Sequence, residues 1–283
     1  MKSSCTSRCA DFRRVRFASL LFVAVATLLA QQPPAGDAVQ IPPGQKAGPG
    51  GPAGPGGGAA PTYGRVMTMP PRPADDTAGF VSIFDGKTLA NWDGDTTFWR
   101  AEDGAIVGES TPEKVVKANS FLIWRGGTAK NFELKVDFRL NGTNSGIQYR
   151  SVELPAVGKW VLKGYQADMD LINNYTGNIF DERGRGFLSP RGLFSRAIGG
   201  RNFKLVGSVG DPDALKGVVK INDWNSLHII ARDSVIIHVI NGKVMAILID
   251  EDPARVLEGL IGFQMHVGPP FRVEYRNILY RAL

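Results

Sequence analysis

Cysteine and histidine are both scarce in this 283-residue chain, which has two of the first and three of the second. Both cysteines, Cys5 and Cys9, precede an apolar run near the N-terminus, so the chain beyond it offers no disulfide and no thiol chemistry. No His/Cys cluster has zinc spacing. No apolar run approaches the roughly 20 residues that span a bilayer. A G-x-S-x-G elbow, a Walker loop and a dinucleotide fingerprint after a strand are all missing. A real charge surplus is missing too. The formal charge is +6, yet residues 1–30 hold five basic residues against one acid, and the remainder balances 28 basic against 26 acidic. A groove that tracks phosphates needs clustered Lys and Arg, so nucleic acid is not the expected partner.

The first thirty residues read as a secretory signal peptide. A basic stretch ending at Arg16 precedes the apolar segment 17–30, whose fourteen residues suit a signal core and are too few for a span. Small residues at Ala24, Ala26 and Ala30 place cleavage near Ala30. The expected location is therefore secreted or periplasmic, with no stable membrane insertion after cleavage. Residues 31–75 hold 11 of the 18 prolines and 10 of the 34 glycines. Such a stretch buries too little apolar surface to offset its ordering entropy, and it reads as a disordered linker. Its Gly/Pro triplets break within a few residues, which excludes a collagen helix. The globular part is expected over residues 76–283.

In that part helical periodicity is rare and period-two alternation recurs. Phe132 to Leu140 puts five apolar residues on one face and four charged ones on the other, the pattern of a half-buried antiparallel strand. Asp85-Gly86, Asp103-Gly104, Asn141-Gly142 and Asn241-Gly242 are turn signals. Strands are expected at 226–232, 235–240, 244–249, 260–266 and 271–280. About a dozen short strands with tight turns imply an all-β sandwich or jelly roll. Residues 173–223 read as a long irregular insertion, a kind of segment that often carries function.

Alternation also sorts the polar residues. It puts Gln166, Asp168 and Asp170 on one face of a strand, opposite Tyr165, Ala167 and Met169. Gln148 and Arg150 oppose Ile147 and Tyr149, while Gln264 and His266 oppose Phe263 and Met265. If the three polar faces share one sheet, they line a polar groove; the bland reading is three solvated faces. The loop 180–186 adds Asp181, Glu182, Arg183 and Arg185 between flexible glycines. His228 and His238 sit in apolar strands and read as packed or edge residues. Carboxylates near amide oxygens suggest a hard divalent cation such as Ca2+, although no EF-hand pattern is present.

The ordered landmarks resemble a bacterial family. Phe80 to Trp92 and Trp99 to Gly104 are similar to the opening of the 3-keto-disaccharide hydrolases, or 3-keto-glucoside 1,2-lyase/hydratases. Asn144-Ser145-Gly146-Ile147, Gly164 to Asp168, Asp223-Trp224-Asn225, Gly262 to His266 and Tyr275 to Ile278 match further landmarks in order. The resemblance covers residues 79 to 280. It implies a concanavalin A-like jelly-roll β-sandwich of two antiparallel sheets, with an oligosaccharide or glycoside site on the concave face. Gln166 stands where many members have glutamate, and Asp168 where they have glutamine, so the carboxylate has moved two residues along the same face.

The implied chemistry uses a C3 ketone to acidify the C2 proton, then eliminates the C1 oxygen and hydrates the product. It needs a base, an oxyanion stabiliser and an acid. Asp168 or His266 is the candidate base, Arg150 the candidate for positioning, and Glu182 or Asp181 the candidate acid or metal ligand. Gln148, Gln166, Asp170, Asp181, Arg183 and Gln264 are candidate substrate contacts. The rival readings are a non-catalytic lectin-like binding module, with Trp124, Trp160 or Tyr175 as its sugar platform, and an adhesion domain.

Overall fold

The computed structural model describes residues 77–283. The signal and linker readings for residues 1–75 lie outside the described residues. In chain order the first strands are β1 (Val81–Ser82), β2 (Trp92–Asp93), β3 (Trp99–Glu102), β4 (Ala105–Glu109), β5 (Ser120–Trp124) and β6 (Phe132–Asn141). Then come β7 (Asn144–Glu153), β8 (Leu162–Asp170), β9 (Ile179–Glu182), β10 (Gly186–Ser189), β11 (Leu193–Gly199) and β12 (Asn202–Ser208). A helical turn, α1 (Pro212–Lys216), precedes β13 (Asn225–Arg232), β14 (Val235–Ile240), β15 (Lys243–Asp250), β16 (Leu260–Met265) and β17 (Arg272–Ala282).

The strands make a jelly-roll sandwich of two sheets. One has ten strands in the order β12-β11-β15-β14-β13-β6-β17-β4-β3, with β1 paired to β17. The other has seven, in the order β10-β9-β8-β7-β16-β5-β2. Pairing is antiparallel except between β11 and β15. Tight turns follow the expected chemistry: Asp103-Gly104 and Asn241-Gly242 each have two positive φ angles, the mirror-image turn that matches strand twist. Residues 173–223 correct the sequence reading, because they contain β9 to β12 and α1. Those strands are short and lie toward the sheet edges, where alternation is blurred by residues exposed on both faces.

Alternation decides the core. Phe132, Leu134, Val136, Phe138 and Leu140 of β6 are all buried, with half-buried polar residues between them. They meet Ile147, Tyr149, Tyr165, Ala167, Ile261, Phe263 and Met265 from the facing sheet. Phe263 is fully buried, stacked on Tyr275 at 4.2 Å and packed against Trp92 at 4.9 Å. Its neighbours Gly262 and Gln264 point the other way by the same alternation. Core and polar face are thus two sides of the same strands. Phe263→Ala is expected to cost about 3–5 kcal/mol in urea unfolding, and a loss below about 1 kcal/mol would contradict this packing.

Candidate functional site

Three adjacent strands of the seven-stranded sheet each turn one amide outward from the core. Gln148 on β7 lies opposite Gln166 on β8 and opposite Gly262 on β16, while Gln264 sits two residues along β16. The solvated-face reading fails here: all three glutamines are buried. Among the described residues, Gln148 Oε1 and Nε2, Gln264 Oε1 and Nε2, and Gln166 Oε1 have no hydrogen-bond partner. An unsatisfied buried polar group costs about 1–3 kcal/mol, so five such atoms on one face set these glutamines apart from ordinary buried amides.

Asp168 belongs to this face. Gln166 Nε2 donates to Asp168 Oδ1 at 2.8 Å, an i,i+2 contact that strand alternation makes possible. Gly146 lies directly opposite Asp168, and a Cβ on it would come within 2.6 Å of the Gln166 side chain. That glycine therefore leaves the space through which Gln166 reaches its partner. Burial drives the Asp168 carboxyl up from its usual 3.8 to about 8. The Gln166 bond pulls in the opposite direction, and the negative charges of Glu182 and Asp170 add to the rise. The result is a carboxyl that exchanges its proton near neutral pH.

The remaining predicted residues divide. Glu182 shares the outward face, because β9 puts Ile179 in the core and so Phe180 and Glu182 outside. Asn119, which sequence reasoning missed, donates from Nδ2 to Glu182 Oε1 at 3.4 Å and accepts from Val267 N at 2.9 Å. This links the segments before β5 and after β16 to β9. Nothing in the polar run around Asn119 marks it out before the strand order is known. His266 falls just past β16, half-buried, with Nδ1 on the carbonyl of Val267 at 2.6 Å. It is a rim residue.

Arg150 does not join the site, which corrects the sequence reading. A bulge between Tyr149 and Val152 gives it a φ of 47° and breaks the alternation. Its guanidinium donates to the carbonyls of Lys130 and Asp233 at 2.8 Å each, tying β7 to the turns of the other sheet. Asp181 is also turned away, since neighbours on a strand face opposite sides. It holds Arg185 at 2.7 Å, and Arg185 also binds Asp250 at 2.6 Å and Asp252 at 3.3 Å. Asp170 is occupied as a turn former, accepting from the amides of Asn174, Tyr175 and Thr176. Arg183 lines a cavity of about 480 Å3 with Lys163, Tyr165, Arg185 and Asp252, away from the glutamines.

The two histidines in strands differ in their surroundings. His238 is buried, with Nδ1 on the Asn178 carbonyl at 3.2 Å and Nε2 at 2.8 Å from the Tyr149 hydroxyl. Burial lowers it to about 4, so it is neutral at physiological pH. His228 pairs with Glu133 at 2.7 Å. Trp124 is buried against Tyr280 rather than offered as a sugar platform. Among the described residues, no three His, Cys, Asp or Glu side chains are grouped so that they could hold a metal ion. No described helix is long and apolar enough to cross a membrane.

A model of the 3-keto-alpha-glucoside-1,2-lyase-like domain family matches residues 79–281. Among solved structures, a proposed glycosyl hydrolase from Parabacteroides distasonis is 19% identical, over 72% of this chain and 99% of that one, with a TM-score of 0.48. A second from the same organism is 18% identical, over 72% and 94%, with a TM-score of 0.46. A carbohydrate-binding module from Bacillus subtilis is 12% identical, over 68% and 96%, with a TM-score of 0.43. No curated protein matches the chain.

The placement of Arg150 has a direct consequence. Arg150→Met should lower stability by about 2–4 kcal/mol, the cost of stranding buried carbonyls and losing a charge-assisted clamp. Ligand affinity of the folded protein should stay within about twofold, well under the factor set by 1.4 kcal/mol. Denaturant titration with calorimetry on the same sample checks both. Weakened binding without lost stability would return Arg150 to the site.

Proposed function

From the 3-keto-alpha-glucoside-1,2-lyase-like domain family, to which this chain belongs over residues 79–281, we propose an enzyme that cleaves 3-keto-glycosides by elimination and hydration. The observation that carries the reading is Asp168, a carboxyl raised to about 8 beside unsatisfied glutamine amides. A base that removes a carbon-bound proton works best when its pKa lies near the operating pH. A purely lectin-like site has no use for a carboxyl kept at that balance. The N-terminal signal reading supports an exported enzyme, secreted or periplasmic.

The Asp168 carboxylate takes the C2 proton, and the C–H electron pair forms the enolate with the C3 carbonyl. The Nε2 groups of Gln148 and Gln264, which have no partner among the described residues, suit the enolate oxygen and the neighbouring hydroxyls. Collapse of the enolate restores the ketone, forms the C1–C2 double bond and breaks the C1–O bond. The departing oxygen takes up a proton passed from solvent by way of Glu182, which shares this face. Water then adds oxygen to C1 and a proton to C2, and the net change is hydrolysis. His266 on the rim is the alternative proton carrier for the leaving group.

This assignment predicts a pH dependence with a definite sign. The base form of Asp168 grows as pH rises, so kcat/KM should increase up to an inflection at about 8. Asp168→Asn should lower turnover of a 3-keto-glucoside by about 10²- to 10⁴-fold and remove that inflection. The folded state keeps the Asp168 proton to higher pH than the unfolded chain does. Folding stability therefore falls as pH climbs from about 4 to about 8 and levels off above. The Asn variant should consequently melt at a higher temperature than the parent at pH 9. Near-normal turnover in the variant sinks the assignment, and binding of unoxidised glycans with no cleavage of keto-glycosides favours the lectin-like module.

A further inference from the structure

The amide row does not stop at Gln166. Gln148 lies opposite Gln166, Gln166 opposite Phe180, and Phe180 opposite Phe187 on the edge strand β10. Directly opposed residues share a face of a sheet, so one continuous row runs from buried amides to aromatic rings at the free edge. Phe180 meets Phe187 edge-on at 4.9 Å, and Tyr175 stacks on Phe187 at 5.6 Å with 22° between the planes. Tyr175 and Phe187 are each 39% exposed. Beside them lies a recess of about 270 Å3, bordered by Asn174, Asn178 and Arg191.

Two stacked rings held in water at a sheet edge gain little from burial there, while their flat apolar surfaces suit another ring. Phe187 is two strand spacings from Gln166, or about 10 Å, a distance that a disaccharide covers. The loop carrying Tyr175 is not free to collapse, because Asp170 binds the amides of Asn174, Tyr175 and Thr176. Arg191 secures the same loop through the carbonyls of Asn173 and Thr176. The platform is built in advance of any ligand.

We infer that Tyr175 and Phe187 receive the leaving group, which is a six-membered ring with an apolar face, and that the preferred substrate is a ring-bearing glycoside rather than a simple alkyl one. This rests on the reading of the glutamine face as the cleavage site. A pyranose and an aryl ring both offer the required surface. The assay therefore compares a 3-keto-disaccharide, a phenyl 3-keto-glucoside and a methyl 3-keto-glucoside.

The wild-type protein should prefer the ring-bearing substrates over the methyl glycoside in kcat/KM. The Tyr175→Ala/Phe187→Ala double variant should reduce that preference about tenfold, equivalent to about 1.4 kcal/mol. Tyr175→Phe, which keeps the ring, should retain the preference, and thermal melts confirm that each variant is folded. Loss confined to the disaccharide arm identifies a sugar as the leaving group, and loss confined to the phenyl arm identifies an aryl group. An unchanged preference in the double variant overturns the inference. Calorimetric binding of the unoxidised disaccharide separates this claim from the cleavage chemistry. Affinity that falls about tenfold in the double variant supports the platform even in a protein that cleaves nothing, whereas equal affinity removes it.

Discussion

A carboxyl buried where its charge is costly, next to amide atoms that find no partner among the described residues, is the constraint from which the other features follow. Strand alternation creates it. The same β8 that sends Tyr165, Ala167 and Met169 into the core sends Gln166 and Asp168 outward. The next two strands of the sheet, β7 and β16, do the same with Gln148 and Gln264. None of these residues can retreat into the core without pulling an apolar neighbour out of it, because a one-residue slip reverses every face. The unsatisfied amides are thus maintained by the packing of the strands that carry them.

That packing is reinforced by polar contacts placed elsewhere. The Asn178 carbonyl can only accept, so His238 carries its proton on Nδ1 and presents Nε2 to the Tyr149 hydroxyl. This fixes β7 beside Gln148 from the core side. Tyr165 donates to Asp250 at 2.5 Å, and Arg185 joins that carboxylate to Asp181 and Asp252. The cluster anchors β8 and β9 to the facing sheet at the end remote from Asp168. Arg150, held in its bulge, adds a third tie. Arg150 and Arg185 thus serve to tie strands together.

Much of this was legible in the chain because period-two alternation is a direct geometric signal. The strand at residues 132–140 and the facing of Gln148, Gln166, Asp168 and Gln264 on their own strands follow from it, whereas their meeting on one sheet depends on strand order. Alternation fails where the backbone leaves the regular pleat. Arg150 looks like a site residue until the bulge turns it toward Lys130 and Asp233. Asp181 and Glu182 look like one acidic pair until β9 assigns them to opposite faces. Asn119 and the Phe180–Phe187–Tyr175 row depend on which strands become neighbours, which no local pattern encodes. Asp170 has the right facing but is consumed by a turn.

Burial on this face raises the Asp168 carboxyl to about 8. Carboxyl carbon-13 NMR of the protein labelled at aspartate, with Asp168→Asn to assign the resonance, measures it directly. A titration midpoint at about 8 is the predicted result. A midpoint close to the ordinary 3.8 would contradict the account, because Asp168 would then be a solvated carboxylate with no special role in proton transfer.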